Sequence, residues 1–194
     1  LAEELLVHAQ RQGHATARAR AYALEGRLAY APLAEWLRSA PLQGRLAKLD
    51  RVWLREVARL LPELLSQFPD LPAPEPLTER WQQKRLFEAL RHAFMGEPGP
   101  QLLLLDDLQW CDAETLACIQ YLCETVPDSR LARLLIVGTV RSDEVLEDHP
   151  LHQTRRALVQ AGKLSVLDLG PLSAEDTTVL GAQVNRRALG GQAA

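Results

Sequence analysis

The sequence predicts an α/β protein built on a parallel β-sheet, and three observations favour it. In the second half of the chain, short hydrophobic runs and helical patterns alternate in the order strand, helix, strand, helix, strand. One run, "QLLLLDD" at 101–107, is continuously apolar before its two acids, which is typical of a strand buried on both faces. Hydrophobic residues make up 47% of the 194 residues, enough for the core of one domain or of one domain and part of another.

Composition disfavours several classes of function. The net charge is −3, from 22 basic and 25 acidic residues, so no basic excess points to nucleic-acid binding. Cys111, Cys118 and Cys123 form no C-x-x-C pair, and we expect three reduced thiols on or near one helix. The sequence has no signal-peptide pattern and no apolar run near the ~18 residues that span a membrane. We therefore expect a cytoplasmic protein with no membrane partner.

The first half of the chain predicts a helix, a strand and a helical insert. The helix covers 1–13 and ends at Gly13, and the alternating stretch 14–24 is typical of a short strand. Helices follow over about 31–68, with a break at Pro62, and a proline-rich loop covers 68–79. A further helix then places four hydrophobic side chains on one face: Trp81, Leu86, Leu90 and Phe94.

The second half carries the alternation in six segments. Asp112 is the expected N-cap of the first helix, and Ser173 with Asp176 forms a capping-box pattern at the last one. In chain order the segments are strand 101–107, helix 112–124, strand 131–141, helix 149–162, strand 163–169 and helix 173–184.

Two adjacent acids, Asp106 and Asp107, end the strand of leucines. Parallel sheets bind ligands beyond the carboxyl ends of their strands, and a partly desolvated carboxylate there needs a positive partner. Mg²⁺ is a suitable partner, because it is typically held by one or two carboxylates and the phosphates of a nucleotide. Adjacent strand residues point to opposite faces, so one acid can hold the metal while the other orients or deprotonates a water. The alternative is that both acids only end the strand and begin a turn.

The segment "LLLLDDLQWCD" is similar to the Walker B segment of P-loop NTPases. It resembles most the "DDLHWAD"-type segment of the STAND and AAA-like ATPases found in large LuxR-type regulators, with Gln109 where His is common. "LLIVGTVRSDE" resembles the sensor-1 strand of that group, and "LDLGPLSAED" the next strand and the start of its lid. "LAEELL" resembles the helix that follows the P-loop lysine.

The resemblance implies a three-layer P-loop NTPase core, and it assigns roles to four residues. Asp106 would bind the metal, Asp107 would act on water, and Arg141 would sense the γ-phosphate, with Thr139 also near the nucleotide. Arg141 can instead be a surface arginine paired with Asp143 or Glu144. Asp112 is expected mainly as an N-cap. We expect Trp110 to pack under the turn and the Gln109 side chain to be solvated. The basic cluster "TARAR" at 16–20 is also expected to be a solvated face.

The chain departs from the family in one large respect. The pattern G-x-x-x-x-G-K-[ST] is nowhere in the sequence. The resemblance implies that the P-loop and the first strand would precede Leu1, so we expect a fragment. That strand would lie mid-sheet, between the sensor-1 strand and 163–169. We therefore expect the 194-residue chain to be marginally stable and to bind nucleotide weakly or not at all.

Together these observations predict a partial ATPase core over 1–170 and the start of a helical lid over 171–194. The intact parent would use ATP and Mg²⁺ as a conformational switch. Its partners would be other domains of the same polypeptide, including a DNA-binding effector, and a nucleotide-dependent oligomer is compatible with this class. The alternative is a non-catalytic α/β interaction module that has lost nucleotide binding.

Overall fold

A computed structural model of the chain describes residues 1–23, 28–95, 101–125 and 134–190, which contain both helices and strands. The strands are β1 (Ala15–Arg20), β2 (Gln101–Asp106) and β3 (Leu134–Gly138). The helices are α1 (Ala2–Arg11), α2 (Ala31–Leu37), α3 (Ala40–Leu46), α4 (Arg51–Val57), α5 (Glu63–Gln67), α6 (Arg80–Met95), α7 (Ala113–Thr125), α8 (Leu151–Gln160) and α9 (Ala174–Gly190). Two short 3₁₀ turns cover Leu108–Trp110 and Ser142–Glu144.

The three strands form one parallel sheet in the order β1-β2-β3. Arg20 is opposite Asp106, and Leu105 is opposite Gly138. The strand of leucines is therefore the central strand, which explains why Gln101 to Leu105 are all buried. The predicted α/β fold class with a parallel sheet is confirmed.

Helices cover both faces of the sheet. Leu6 and Ala9 of α1 pack on Leu102 and Leu104. The alternate residues of β1 and β2 point to the other face and join a larger core with the helices α2, α3, α4, α6 and α7. This core contains the largest buried side chains, and the predicted helical region after β1 supplies many of them.

Trp36 attaches the helical insert to the sheet. Its indole N–H donates to the carbonyl of Leu104 at 2.8 Å, and its ring meets Phe94 edge-on with centroids 5.9 Å apart. The break at Pro62 is confirmed, because α4 ends before it and α5 begins after it. Within 68–79 the structure has neither helix nor strand, as predicted for a proline-rich loop.

One prediction about burial was wrong. The strand predicted over 131–141 is only partly buried, and Leu135 is 54% exposed, because β3 lies at the edge of the described sheet. Residues 131–133 lie outside the described residues. On α6, Leu86, Leu90 and Phe94 are buried, whereas Trp81 is exposed near the start of the helix.

The third predicted strand, 163–169, is absent from the structure, so that prediction was wrong. A strand needs a hydrogen-bonding neighbour, and no described strand pairs with this stretch. Its side chains Val166, Leu167 and Leu169 are exposed. The contacts divide the chain into two compact units, Leu1–Leu164 and Ser165–Ala194.

The predicted helix caps are confirmed at both positions. The Asp112 carboxylate accepts from the backbone N–H of Thr115 at 2.7 Å, and the Ser173 hydroxyl accepts from that of Asp176 at 3.0 Å. Across the described residues, no helix is both long enough and apolar enough to cross a membrane.

Candidate functional site

Asp106 and Asp107 lie at the carboxyl end of the central strand. Asp106 is the last residue of β2, and Asp107 follows in a left-handed conformation with φ 62°. Aspartate tolerates this region better than most residues, because its short side chain can hydrogen-bond locally. Both carboxylates are only 15% exposed. The left-handed residue ends the strand and brings both acids to the same edge of the sheet.

Thr139 connects both acids to the neighbouring strand. Its hydroxyl donates to Asp106 Oδ1 at 3.0 Å and accepts from the backbone N–H of Asp107 at 3.1 Å. Its backbone N–H donates to the Leu105 carbonyl, and its carbonyl accepts from the N–H of Leu108. Thr139 therefore extends the β2–β3 ladder by one residue and fixes the turn that carries Asp107.

Two arginines of β1 pair with the two acids. Arg18 Nε and Nη2 donate to Asp106 Oδ2 at 2.9 and 2.8 Å, and Arg20 Nε donates to Asp107 Oδ2 at 2.6 Å. Arg18 also pairs with Glu3 of α1. The positive charge that the acids require is therefore present within the chain itself.

Gln109 links the turn that carries Asp106 and Asp107, here called the acidic turn, to the segment after β3. Its amide Nε2 donates to Asp107 Oδ1 at 3.3 Å and to Glu144 Oε2 at 3.2 Å, and its Oε1 accepts from the backbone N–H of Arg141 at 3.2 Å. The side chain is buried, so the prediction that Gln109 is solvated was wrong. Its three partners hold Asp107 and Arg141 near one another.

The Arg141 side chain is directed to Glu144, with Nη1 and Oε1 3.0 Å apart. It is largely exposed, and its hydrogen bond with Glu144 raises the pKa of Arg141, so it is cationic at any physiological pH. In this structure its side chain therefore has the surface pairing that the alternative interpretation named. Its backbone N–H, in contrast, donates to Gln109 next to the two acids.

Asp112 follows the turn and stabilises the backbone around it. Beyond the N–H of Thr115, its carboxylate accepts from the Thr115 hydroxyl at 2.6 Å and from the backbone N–H of Tyr30 at 3.2 Å.

Burial raises the pKa of the neighbouring Cys111 thiol, so this cysteine stays protonated and is a poor nucleophile. Trp110 is 40% exposed, so the prediction that it packs under the turn was wrong.

The structure brings three of the predicted site residues into direct contact: Asp106, Asp107 and Thr139. It places the fourth, Arg141, beside them through its backbone only. Sequence reasoning missed the roles of Arg18 and Arg20, although "TARAR" carried a signal. A short alternating strand puts both arginines on one face, and β1 ends in register with the two acids.

The residues present fit a magnesium ion that arrives with phosphates. The edge of the sheet that carries Asp106, Asp107 and Thr139, here called the acidic edge, offers two carboxylates and a threonine hydroxyl. These are the oxygen ligands that Mg²⁺ prefers. Among the described residues no group of three or more His, Cys, Asp or Glu side chains is arranged to hold a metal. A magnesium ion held here would take one or two of its ligands from Asp106 and Asp107.

Comparison with protein-family models gave no match for this chain. Searches among curated proteins and among solved structures gave no match either. The site must therefore be interpreted from its own geometry.

Proposed function

We propose that this chain is part of an ATP-hydrolysing switch domain of the AAA/STAND P-loop type, carrying the residues that handle the metal and the attacking water. The domain would belong to a multidomain signalling or transcriptional regulator of the LuxR type. The observation that carries the proposal is the pair of acids at the end of a central parallel strand, where Thr139, which follows the next strand, bonds the Asp106 carboxylate and the backbone N–H of Asp107.

The two acids have different surroundings, which suits different roles. Asp106 is the last residue of β2, with Thr139 on one oxygen and Arg18 on the other, and it would hold Mg²⁺ directly or through water. Asp107 projects from a left-handed turn and would orient or deprotonate the attacking water. When bound, Mg²⁺ would neutralise charge on the phosphates of ATP. Arg141 would have to leave Glu144 to contact a γ-phosphate.

The proposal requires a phosphate-binding loop that the 194 residues do not contain. The first experiment is to read the coding sequence upstream of Leu1. A glycine-rich loop ending in Gly-Lys-Ser or Gly-Lys-Thr supports the proposal, and a start codon with no such loop contradicts it.

If the loop is present, ATP hydrolysis by the longer protein tests the assigned roles. We expect Asp107→Asn to lower kcat about 100-fold or more while ATP still binds, because removing a catalytic base or water-positioning group typically costs that much. Asp106→Asn should raise the Mg²⁺ concentration needed for half-maximal rate. Asp143→Asn, which removes a nearby exposed acid, is the matched control and should hydrolyse ATP normally.

A second candidate is a non-catalytic interaction module with the same fold. The pairing of Asp106 with Arg18 and of Asp107 with Arg20 favours it, because both carboxylates are then neutralised without a metal. In the longer protein, an unchanged nucleotide response in both Asp106→Ala and Arg141→Ala would favour this module over the ATPase.

A further inference from the structure

Arg18 and Arg20 form a cationic pair at the same edge as the acids. They are two residues apart on β1, so both side chains lie on one face of the sheet. Arg20 is opposite Asp106 in the β1–β2 register, and Arg18 reaches the same carboxylate diagonally. The two guanidinium groups therefore contact the oxygens that a metal would need.

We propose that Arg18 and Arg20 are internal counterions that compete with a divalent cation for Asp106 and Asp107. Asp106 Oδ2 accepts two N–H groups of Arg18, and Asp107 Oδ2 accepts from Arg20. A cation on these oxygens would lie within a few ångströms of both guanidinium charges, and like charges at that distance repel strongly in a partly desolvated site. Both arginines must therefore move away before the acids take up a metal.

The surroundings give each arginine a second position. Arg18 is already bonded to Glu3 through Nη1, so it can stay on α1 when it leaves Asp106. Arg20 lies with Cζ 5.7 Å from the centre of the Tyr22 ring, and Glu35 is close enough to accept from the backbone N–H of Arg20. Both arginine side chains are about half exposed, at 46% and 48%, so their movement disturbs no core packing.

The competition can be measured with metal alone on the 194-residue chain. Mn²⁺ serves as the probe, and the EPR signal of free Mn²⁺ gives its Kd. We expect Arg18→Gln/Arg20→Gln to bind Mn²⁺ about tenfold more tightly than the unchanged chain, which corresponds to about 1.4 kcal/mol. The matched control is Arg38→Gln, which removes one charge of similar exposure from a distant pair with Glu63 and should leave the Kd within about twofold, a difference of about 0.4 kcal/mol.

Adding Asp106→Asn and Asp107→Asn to the arginine variant should remove the gain. An equal Kd for the unchanged chain and the arginine variant, both folded by circular dichroism, overturns the proposal. So does a gain that survives loss of both acids, because the metal would then bind elsewhere.

A second measurement needs no variant. In the unchanged chain labelled with ¹⁵N-arginine, saturating Mg²⁺ should shift the Nε–Hε resonances of Arg18 and Arg20 and speed their exchange with water, while that of Arg38 stays fixed. Unmoved resonances of Arg18 and Arg20 would overturn the proposal even if the variants fail to fold. Only the identity of the natural ligand in this proposal rests on the proposed function. An inactive ATPase test with a positive Mn²⁺ result would refute that function and leave the counterions in place.

Discussion

Asp112 joins α7 to the start of the helical insert through one buried carboxylate. It caps α7, bonds the Thr115 hydroxyl and accepts the backbone N–H of Tyr30. Tyr30 is itself left-handed, with φ 66°, an unfavourable conformation for an aromatic residue. The bond to Asp112 helps to hold this strained residue, which begins the helical insert, next to the turn of the candidate site.

We expect Asp112→Ala to lower the free energy of unfolding by about 2–3 kcal/mol, because a lost N-cap costs about 1 kcal/mol and an orphaned buried N–H costs more. Urea denaturation followed by circular dichroism measures the change. Asp112→Asn keeps one acceptor oxygen and is the matched control, with a smaller loss. A loss below about 0.5 kcal/mol in the alanine variant, the level of an ordinary surface substitution, would contradict the assigned role.

His149 gives the stability a pH dependence. Its Nδ1 accepts from the backbone N–H of Leu151 at 3.2 Å, at the start of α8, so the ring must be neutral there. Burial, followed by the positive charge of His152, lowers the pKa of His149, while Asp148 opposes the shift. Because the pKa is lower in the folded state, the unfolded chain binds more protons below pH ~6.5.

The contribution of His149 to stability is therefore present above pH ~6.5 and is lost as the pH falls through its lowered pKa. Urea denaturation between pH 7 and 5 should show a decline in the free energy of unfolding. His149→Asn, which keeps an acceptor at a similar position, should flatten this decline relative to the unchanged chain. An NMR titration of His149 with a midpoint above 6.5 would contradict the argument.

The sequence was sufficient to predict Asp106, Asp107 and Thr139 at one edge, because each lies at the end of a hydrophobic run and parallel strands end at a common edge. It was insufficient for Arg18 and Arg20, whose partners lie more than 80 residues away along the chain. Gln109 was missed because its burial depends on the segment after β3, which no local pattern reveals.

At the scale of elements, Gly138 ends β3 where the acidic turn packs against it. A Cβ added at Gly138 would overlap the Leu108 side chain and lie 3.2 Å from its Cγ. We expect Gly138→Ala to lower the free energy of unfolding by about 1–2 kcal/mol through this overpacking. Because Leu108 adjoins Asp107, the Asp107 resonances should also shift in NMR spectra.

The control for this prediction removes the obstruction. Leu108→Ala alone should cost stability, but Gly138→Ala should add little further cost in that background, because the overlap is gone. Urea denaturation of the four proteins gives the coupling between the two sites. Additive effects of the two substitutions would show that Leu108 does not restrict position 138.

Secondary-structure elements were predicted correctly where the element makes its hydrogen bonds within its own segment. Each predicted helix with capping or breaking residues, such as those at Asp112 and Pro62, has a counterpart in the structure. The stretch 163–169 has the composition of a strand, yet a strand also requires a neighbour. Among the described residues no strand pairs with this stretch, and β3, whose Leu135 is exposed, is paired on one side only.

At the scale of the whole molecule, every residue of the two hydrophobic core clusters lies within Leu1–Leu164. The fold that positions the acids is thus built by the sheet, α1, the helical insert, α6 and α7. At the acidic edge, the carboxylates of Asp106 and Asp107 both have hydrogen-bond partners within the chain. The sequence, however, has no glycine-rich loop to bind phosphates. Marginal stability and weak nucleotide binding of the 194-residue chain remain predictions from this combination.

A thermal shift experiment with MgATP tests the nucleotide part. A ligand that binds only the folded state stabilises it by RT ln(1 + [L]/Kd), about 0.4 kcal/mol at a concentration equal to Kd and about 2.7 kcal/mol at 100 times Kd. For a chain of this size each kcal/mol raises Tm by about 2–4 °C. At 1 mM MgATP we therefore expect the unchanged chain to shift by no more than about 2 °C, which corresponds to a Kd of about 1 mM or weaker.

MgCl₂ alone and the Asp106→Asn/Asp107→Asn variant are the controls. A rise of about 5 °C or more with MgATP, absent in the variant, would mean that the acidic edge binds nucleotide with a Kd near 10 μM without any phosphate-binding loop. That outcome would contradict the prediction that a P-loop beyond these 194 residues is needed.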